Sequence, residues 1–238
     1  MISIVIPARD EEKLIADTIR QFEKLTIPHE VIISDDGSSD KTIEIAQKLA
    51  NTVLTYTGER HAIGRTRNAG AKVARGDIFV FVDADSFFPE PQTFFAHALK
   101  RFEEDPSLAG IACPQRVRPE IERITDKFVY GLDNIFNWIF NNVLEHGSGS
   151  GKCIMVRKEA FEKVRGFRED LIFREDCDLL KRVSKLGKTR FDWSLVAYHS
   201  GRRIHRIGVF RFYYTWILNG LYVVFFDKAR DKEWTPVR

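Results

Sequence analysis

Ile78-Phe79-Val80-Phe81-Val82-Asp83-Ala84-Asp85-Ser86 is the stretch that decides the fold, because five apolar residues stop abruptly at two carboxylates one residue apart. A continuous apolar run of this length is typical of a strand buried on both faces, as at the centre of a parallel sheet. Ligands bind beyond the carboxyl ends of such strands, where Asp83 and Asp85 would lie. Since side chains alternate along a strand, both carboxylates would point the same way and suit Mg²⁺ or Mn²⁺. A turn in which Asp caps the next segment is the alternative.

Strands and helices alternate around this run. Residues 2–6 and 31–34 are predicted to form two further buried strands, the first ended by Pro7. Residues 11–25 and 41–50 are predicted helices, and the first of them carries apolar side chains at helical spacing. Every connection is long enough for a right-handed crossover between parallel strands. The first hundred residues therefore predict an α/β fold, with the nucleotide-binding half of a parallel sheet.

The second half of the chain is less regular. Helices are predicted over residues 92–104 and 121–144, the latter rich in aromatic side chains, with a strand over 108–113 between them. Residues 146–151, His-Gly-Ser-Gly-Ser-Gly, are predicted to form a flexible loop before a short strand at 154–156. A further helix opens at Glu175 and runs through Leu186.

Composition places the chain among ordinary globular proteins, with 44% hydrophobic and 30% charged residues in 238. A net charge of +3 gives no general attraction to nucleic acid, so we expect no nucleic-acid partner. The three cysteines are far apart and match no metal or redox spacing, which favours a reducing compartment. We expect no signal peptide, because no basic segment precedes the first strand. The missing G-x-G-x-x-G after that strand argues against an NAD enzyme.

Acidic side chains cluster after three of the predicted strands and at the start of one helix. The clusters lie within residues 7–12, 34–42, 83–85 and 174–179. Each has a plain structural alternative, since acids offset the dipole of a first helical turn, Asp-Gly forms turns and Asp caps helices. Because the carboxyl ends of parallel strands meet at one edge of a sheet, the four clusters together predict one site.

These motifs, in this order and spacing, resemble a family 2 glycosyltransferase of the GT-A fold. The residues that carry the resemblance are Ile4-Val5-Ile6-Pro7 with Glu11-Glu12, Asp35-Asp36-Gly37-Ser38-Ser39-Asp40-Lys41-Thr42, Arg67-Asn68-Ala69-Gly70 with Ala74-Arg75-Gly76-Asp77, Asp83-Ala84-Asp85, and Glu175-Asp176-Cys177-Asp178-Leu179. The match runs from residue 2 to about residue 200. It implies a Rossmann-like, mixed, mainly parallel sheet with helices on both faces. Arg9-Asp10 departs from the family pattern, which has an aromatic residue or Thr followed by Asn.

The resemblance implies a nucleotide diphosphate sugar, a UDP- or GDP-sugar, as the donor substrate. Its base and ribose would be held by the loop after the first strand and by one residue after the second. These residues are Pro7, Ala8, Arg9, Glu11 and Asp36.

The resemblance also implies the metal and the catalytic residues. Asp83, with Ala84 beside it, would lie near the ribose or the metal, and Asp85 would ligate the Mn²⁺ or Mg²⁺ that bridges the diphosphate. Asp176 would be the general base that takes the proton from the acceptor hydroxyl, so that one displacement inverts the anomeric carbon. Glu175 would orient the acceptor or tune Asp176.

The sequence allows two roles for each of three basic residues. Arg65 or Arg67 would meet the diphosphate, or both would belong to a solvated helix face. His199 would be a further metal ligand, as in some GT-A enzymes, or a structural histidine with its hydrogen bonds satisfied.

A basic and aromatic segment ends the chain. Residues 202–206 are basic, 207–226 are apolar but interrupted by Arg211 and Asn219, and bases follow up to Lys232. We expect an amphipathic helical tail that lies in a membrane interface, with packing on the domain or spanning as alternatives. Residues 1–200 would form the catalytic domain and 201–238 this appendage. The protein would be cytoplasmic and peripheral on the membrane, and residues 128–140 could belong to the same surface.

The predicted function is metal-dependent, inverting transfer of a sugar to a sugar or lipid-phosphate acceptor. A polyprenyl or dolichyl phosphate or a lipid-borne glycan would fit a basic, membrane-facing rim. If the acceptor is a phosphate, it is already anionic, and Asp176 would position it rather than deprotonate it. Two rivals stay open: a catalytically silent scaffold that binds sugar nucleotides or glycans, and a sugar-phosphate nucleotidyltransferase.

Overall fold

The structure, a computed structural model, describes residues 1–58 and 61–226. Within these residues seven strands form one mixed, mainly parallel sheet, and two short strands pair separately. The strands are β1 (Ile2–Ala8), β2 (His29–Asp35), β3 (Thr52–Thr55), β4 (Ile78–Val82), β5 (Leu108–Ala112), β6 (Gln115–Val117), β7 (Cys153–Arg157), β8 (Lys188–Phe191) and β9 (Ala197–His199). The order in the large sheet is β3-β2-β1-β4-β7-β5-β8, with β7 antiparallel to both neighbours. The predicted sheet is confirmed.

Helices cover both faces of the sheet. They are α1 (Ile15–Arg20), α2 (Thr42–Leu49), α3 (Ile63–Val73), α4 (Pro91–Glu104), α5 (Ile124–Asn142), α6 (Lys158–Lys163), α7 (Glu175–Val183), α8 (Arg202–Ile207) and α9 (Val209–Phe226). One buried cluster joins β1 and β4 to α1 and α4, and a second joins the opposite faces of these strands to α3, α6 and α7. Strand β4 is buried along its whole length, as its apolar run predicts.

Two predicted boundaries near the start of the chain are wrong. Strand β1 continues through Pro7 to Ala8, because its parallel register with β2 runs that far. Helix α1 begins at Ile15 rather than at Glu11, and residues 11–14 form the turn that leads into it, since the Glu11 carbonyl accepts the Ile15 N–H at 2.9 Å. The N–H groups of Glu11 and Glu12, which a helix start cannot pair internally, bond to side chains at and before the start of α2. Their acceptors are Thr42 Oγ1 at 2.7 Å and Asp40 Oδ2 at 3.1 Å.

The segment after residue 200 begins with two helices that contact the domain. Ile204 of α8 is buried with Val117, Val129 and Tyr130, and the start of α9 packs against the same cluster. None of the helices within residues 1–58 and 61–226 has the length and apolarity needed to cross a bilayer. The predicted bases at Lys228, Arg230 and Lys232 lie outside the described residues.

Candidate active site

The predicted site residues come together at the carboxyl ends of β1, β2 and β4, where they line a cavity of about 650 Å³. The ones that line it are Pro7, Ala8, Arg9, Glu11, Asp36, Asp83, Ala84, Asp85, Glu175, Asp176 and His199. Arg65 does not line the cavity, but its Nη2 lies 3.5 Å from Oδ1 of Asp36, which does. The four acidic clusters therefore do form one site.

Asp36 marks one end of the cavity. It follows β2 directly and lies between two bases, with His61 Nδ1 3.2 Å and Arg65 Nη2 3.5 Å from its carboxylate oxygens. The Arg65 guanidinium lies 3.6 Å from the Tyr56 ring centroid and donates to the Tyr56 hydroxyl at 2.8 Å. Arg65 thus supports Asp36 and does not belong to a solvated helix face, and its contact with a diphosphate stays a prediction.

Asp10, where the sequence departs from the family pattern, connects two loops. Its backbone is left-handed, with φ of 49°, a region that Asp and Asn adopt more readily than most residues. Its carboxylate accepts the Ser39 N–H at 2.6 Å, and its own N–H bonds Ser38 Oγ at 2.8 Å. Asp10 therefore links the loop after β1 to the loop after β2, close to Asp36 in the sequence.

Lys152 is the central residue that the sequence analysis missed. Its ammonium lies 2.9 Å from Asp83 Oδ2 and 3.2 Å from Asp85 Oδ1. The register explains this, because Val82 on β4 pairs with Cys153 on the antiparallel strand β7, which brings the preceding Lys152 opposite Asp83. Lys152 could have been found only by predicting that β7 runs antiparallel beside β4.

Arg67 ties the end of β4 to the start of α7. Its side chain is 1% exposed and donates to Asp83 Oδ1 at 2.9 Å and to Glu175 Oε1 at 2.8 Å. A buried arginine needs such carboxylate partners. The alternative that Arg67 belongs to a solvated helix face is therefore wrong. Arg67 also lines the cavity, and its contact with a diphosphate stays a prediction.

Asp85 is surrounded by groups that stabilise its ionised form. It accepts the Ser200 hydroxyl at 2.5 Å, and Arg202 Nε lies 3.7 Å away while that arginine also forms a bidentate pair with Glu11. Burial opposes ionisation, but Lys152 and the neighbouring bases hold the pKa of Asp85 well below its usual range. Asp83 has a lowered pKa for the same reasons, with Lys152 and Arg67 as its cations. Both carboxylates are therefore charged at neutral pH.

His199, on β9, has its ring fixed by the backbone. The Gly201 N–H donates to Nδ1 at 3.1 Å, so the neutral ring carries its proton on Nε2. Burial, followed by the charge of Lys152, lowers the pKa of His199 to about 3, which keeps the ring neutral. To ligate a metal through Nε2, His199 would have to change tautomer and give up the Gly201 bond, so its role as a ligand stays a prediction.

Asp83 and Asp85 suit a divalent cation because their ligand atoms are carboxylate oxygens and because both already contact the positively charged Lys152. Carboxylate oxygens are hard ligands, and the Lys152 ammonium lies between the two side chains. No group of three or more His, Cys, Asp or Glu side chains in the described part of the chain is arranged to hold a metal ion. Such a pair suits an ion of the Mg²⁺ type, which takes one or two carboxylates and completes its shell with water and substrate phosphates.

Asp176 and Glu175, at the start of α7, differ in their surroundings. Asp176 accepts the N–H groups of Gly151 and Cys177, each at 2.7 Å, and stays partly exposed in the cavity. Glu175 is buried against Arg67, and burial together with the charge of Asp176 raises its pKa well above the usual range. Asp176 is thus the acid that a substrate can reach.

Asp133, from α5, is a second acid that the sequence analysis missed. It lines the cavity, accepts from Gln115 Nε2 at 2.6 Å and from Asn137 at 3.0 Å, and has a pKa raised to about 6 by burial, a shift to which Asp176 adds. Its signal was a carboxylate on the polar side of a helical pattern, which periodicity alone does not connect to the site.

The glycine-rich loop at 146–151 is packed rather than flexible, so that prediction is wrong. Gly147, Ser148 and Gly149 are buried, and Ser148 bonds both Asn137 and Asn141 of α5. The loop connects α5 to β7 in the chain and contacts the start of α7, where its Gly151 N–H fixes Asp176. Gly147 adopts a φ of 62° and a Cβ there would meet Leu180 O at 2.1 Å, so any side chain at this position would strain the loop and push it away from α7.

Comparison with known proteins identifies the family to which this site belongs. The family model described as Glycosyl transferase family 2 matches residues 3–165. A dolichyl N-acetyl-alpha-D-glucosaminyl phosphate 3-beta-D-2,3-diacetamido-2,3-dideoxy-beta-D-glucuronosyltransferase of Methanococcus voltae is 31% identical over 122 residues, which are 46% of this chain and 37% of that protein. Glycosyltransferase AglD of Haloferax volcanii is 28% identical over 201 residues, 78% of this chain and 31% of that protein.

Solved structures share the fold. A mannosyltransferase of Pyrobaculum calidifontis, solved in complex with GDP-Man and Mn²⁺, aligns with a TM-score of 0.69 at 20% identity. The alignment covers 84% of this chain and 56% of that one. The chain thus spans about a third of the length of the two curated relatives described above.

Proposed function

The chain belongs to glycosyl transferase family 2, and on this premise we propose that it transfers a sugar from a nucleotide diphosphate sugar to an acceptor, inverting the anomeric carbon. The observation that carries the proposal is one cavity with three chemically distinct parts. Asp36 lies at one end, the cation-binding pair Asp83 and Asp85 lies next, and the partly exposed Asp176 faces the remaining space. Such an arrangement suits a substrate with a polar base, a charged diphosphate and a reacting sugar carbon.

The donor proposed for the Asp36 end is a UDP- or GDP-sugar. The loop of Pro7, Ala8 and Arg9 forms the wall there, and Asp36 offers acceptor oxygens for base or ribose hydrogen-bond donors. The mannosyltransferase of similar fold contains GDP-Man, which supports a nucleotide sugar as the ligand class.

Asp85, with Asp83, would hold a divalent metal ion, Mn²⁺ or Mg²⁺. When bound, the ion supplies Lewis-acid stabilisation of the negative charge that builds on the departing nucleoside diphosphate. The carboxylates are ionised and close enough together to share one ammonium, which supports this assignment. The Mn²⁺ in the neighbouring mannosyltransferase supports it as well.

Asp176 would act on the acceptor. Its backbone hydrogen bonds fix the carboxylate, and a free lone pair takes the proton from an acceptor hydroxyl as the oxygen attacks the anomeric carbon. The bond from that carbon to the diphosphate oxygen breaks in the same step, and configuration inverts. Glu175, paired with Arg67, would position the start of α7 rather than touch the acceptor. A phosphate acceptor would need no base.

The acceptor is proposed to be lipid-linked, with the protein peripheral on the cytoplasmic face of a membrane. Support comes from the four arginines without an acid in residues 201–226, and from the dolichyl-linked substrate in the name of the Methanococcus relative. The division into a catalytic domain, 1–200, and an appendage, 201–238, belongs to the same proposal.

A thermal-shift screen tests the donor proposal. UDP-, GDP- and dTDP-sugars are added with Mn²⁺ or with chelator, to the wild type and to Asp85→Asn. At a hundredfold excess over the dissociation constant, a ligand of the native state adds about 2.7 kcal/mol, which is about 5–10 °C in Tm for a chain of this size. We expect a shift for one nucleotide that disappears with chelator and in Asp85→Asn.

Turnover then separates the rival functions. Transfer or hydrolysis of the bound donor above background would exclude the silent scaffold, and release of pyrophosphate from a nucleoside triphosphate would favour the nucleotidyltransferase. A chain that binds no nucleotide sugar under any condition contradicts the proposed function.

A further inference from the structure

Helix α5 (Ile124–Asn142) has its polar side turned inward and its apolar side turned outward. The buried residues include Asp126, Asn134, Asn137 and Asn141. The exposed apolar residues of α5, together with Val143 just after it, form one stripe at spacings of three and four, namely Ile124, Phe128, Leu132, Ile135, Phe136, Ile139 and Val143. Ile124 is 86% exposed and Phe128 67%. A surface helix that faces water has the opposite arrangement.

The buried polar residues hold α5 in this orientation. Asn134 exchanges two hydrogen bonds of 3.0 Å with the backbone of Gln115, and Asn141 donates to Ser148 O at 2.6 Å. Asp126 bonds His205 of α8 at 2.6 Å. Rotating the helix to bury its apolar stripe would break all of these bonds, so the outward stripe is built into the fold.

The stripe is too large for a water-exposed surface. It runs along the whole helix, about 28 Å at 1.5 Å per residue, and soluble monomers rarely expose an apolar patch of such extent. The transfer free energy of these side chains therefore favours an apolar environment on the outer side of α5.

The charge beside the stripe indicates which environment this is. Arg123 and Lys127 are exposed at the start of α5, and Arg206 and Arg211 are exposed on the adjacent α8 and α9. Residues 201–226 contain no acid, and of their four arginines Arg202 pairs with Glu11 while Arg206 and Arg211 are exposed, together with the exposed aromatic residues Phe210 and Tyr214. An apolar stripe next to bases and aromatic rings matches the interface of an anionic bilayer.

The stripe continues into the cavity. Leu132 and Phe136 belong to it and also line the cavity beside Asp133 and Asp176. An acceptor whose lipid chain lies in the bilayer under α5 would therefore enter the cavity at Asp176, at the end away from Asp36. We propose that the outer face of α5 docks the protein on an anionic lipid bilayer and presents the cavity to lipid-linked acceptors. The second part rests on the proposed function, and the docking surface itself does not.

Vesicle flotation tests the docking surface. The full chain is mixed with vesicles of phosphatidylcholine, or of phosphatidylcholine with 30% phosphatidylglycerol. The variant Ile124→Ser/Phe128→Ser/Ile135→Ser removes three stripe residues that do not line the cavity. The matched control Val73→Ser/Leu186→Ser/Trp193→Ser removes three exposed apolar residues elsewhere. We expect binding to the anionic vesicles, a loss of at least tenfold in the stripe variant, and wild-type binding in the control.

A second measurement keeps the test independent of folding defects. An environment-sensitive fluorophore on Ile135→Cys should gain emission with anionic vesicles, and the same label on Leu186→Cys should not. Equal binding by both triple variants, equal emission at both labels, or binding that depends only on residues 227–238 overturns the proposal. So does a dimer that the stripe variant abolishes without any vesicle binding. Donor-induced thermal shifts in the stripe variant report on the proposed function separately.

Discussion

At the residue scale, the two neighbouring acids of α7 have different partners and therefore different expected roles. Glu175 is buried against Arg67, whereas Asp176 is fixed by backbone N–H groups and reaches the cavity. Asp176→Asn keeps the size of the side chain, loses the proton acceptor, and retains only one of the two oxygens that accept backbone N–H groups. We expect turnover with a hydroxyl acceptor to fall by about 10²- to 10⁴-fold, with donor affinity unchanged.

The matched control is Asp178→Asn on the same helix, since Asp178 pairs with Arg182 at 2.7 Å and does not line the cavity. Steady-state kinetics with a hydroxyl acceptor and donor titration by calorimetry measure the two effects. Unchanged turnover in Asp176→Asn would contradict its assignment as the base.

Lys152 competes with any divalent ion for the same carboxylate oxygens. Its ammonium contacts both Asp83 and Asp85, and these contacts raise the pKa of Lys152 although burial opposes its charge. In Lys152→Met this cation is absent, and the two carboxylates repel each other without it. We expect Mn²⁺ to bind at least tenfold more tightly and to raise the Tm more than in the wild type.

Titration of Mn²⁺ by electron paramagnetic resonance measures this affinity without turnover. The control is Lys158→Met, which removes a lysine just beyond the opposite end of β7. Weaker or equal Mn²⁺ binding in Lys152→Met would show that the lysine and the ion do not share a site.

At the scale of elements, the sequence predicts a site residue best when that residue directly follows a strand whose place in the sheet can itself be predicted. The apolar run of β4 and the acids after β1, β2 and β4 define the site, because parallel strands bring their ends together. Lys152 depends on the antiparallel register of β7, which no local pattern encodes. Asp133 was missed for a related reason: periodicity indicates that α5 is a helix, but not that its polar side faces the protein.

The glycine-rich loop is an element whose backbone shape determines where Asp176 lies. Alanine at Gly147 would strain a left-handed backbone and press against the Leu180 carbonyl of α7. We expect Gly147→Ala to lower the free energy of unfolding by about 1–3 kcal/mol. We also expect it to reduce turnover, since the Gly151 N–H of the displaced loop holds Asp176.

Gly131→Ala is the control for Gly147→Ala, since it adds a methyl group with nothing within 4 Å and lies inside α5. It should be neutral or stabilising by up to about 1 kcal/mol. Urea unfolding of both variants makes the comparison. Equal stability of Gly147→Ala and the wild type would show that the loop can move away from α7.

At the scale of the whole molecule, the cavity makes stability depend on pH in two opposite ways. The pKa values of Asp83 and Asp85 are lowered in the fold, so the stability that they add is present above their unfolded pKa and is lost as the pH falls below it. The pKa values of Asp133 and Glu175 are raised by burial. For these two, the unfolded chain ionises first as the pH rises, and the fold loses stability.

We therefore expect the free energy of unfolding to decrease as the pH rises from about 4 to 6. Asp133 contributes on the order of 2–3 kcal/mol to this decrease, since folding raises its pKa from 3.8 to about 6. Asp133→Asn should remove this part of the slope, whatever its stability at a single pH. Urea unfolding of the wild type and Asp133→Asn at half-unit intervals from pH 4 to pH 7 measures the difference. Parallel curves would mean that Asp133 ionises in the fold as easily as in the unfolded chain. A flatter curve in Asp133→Asn would identify Asp133 as a carboxyl group beside Asp176 that changes charge near pH 6.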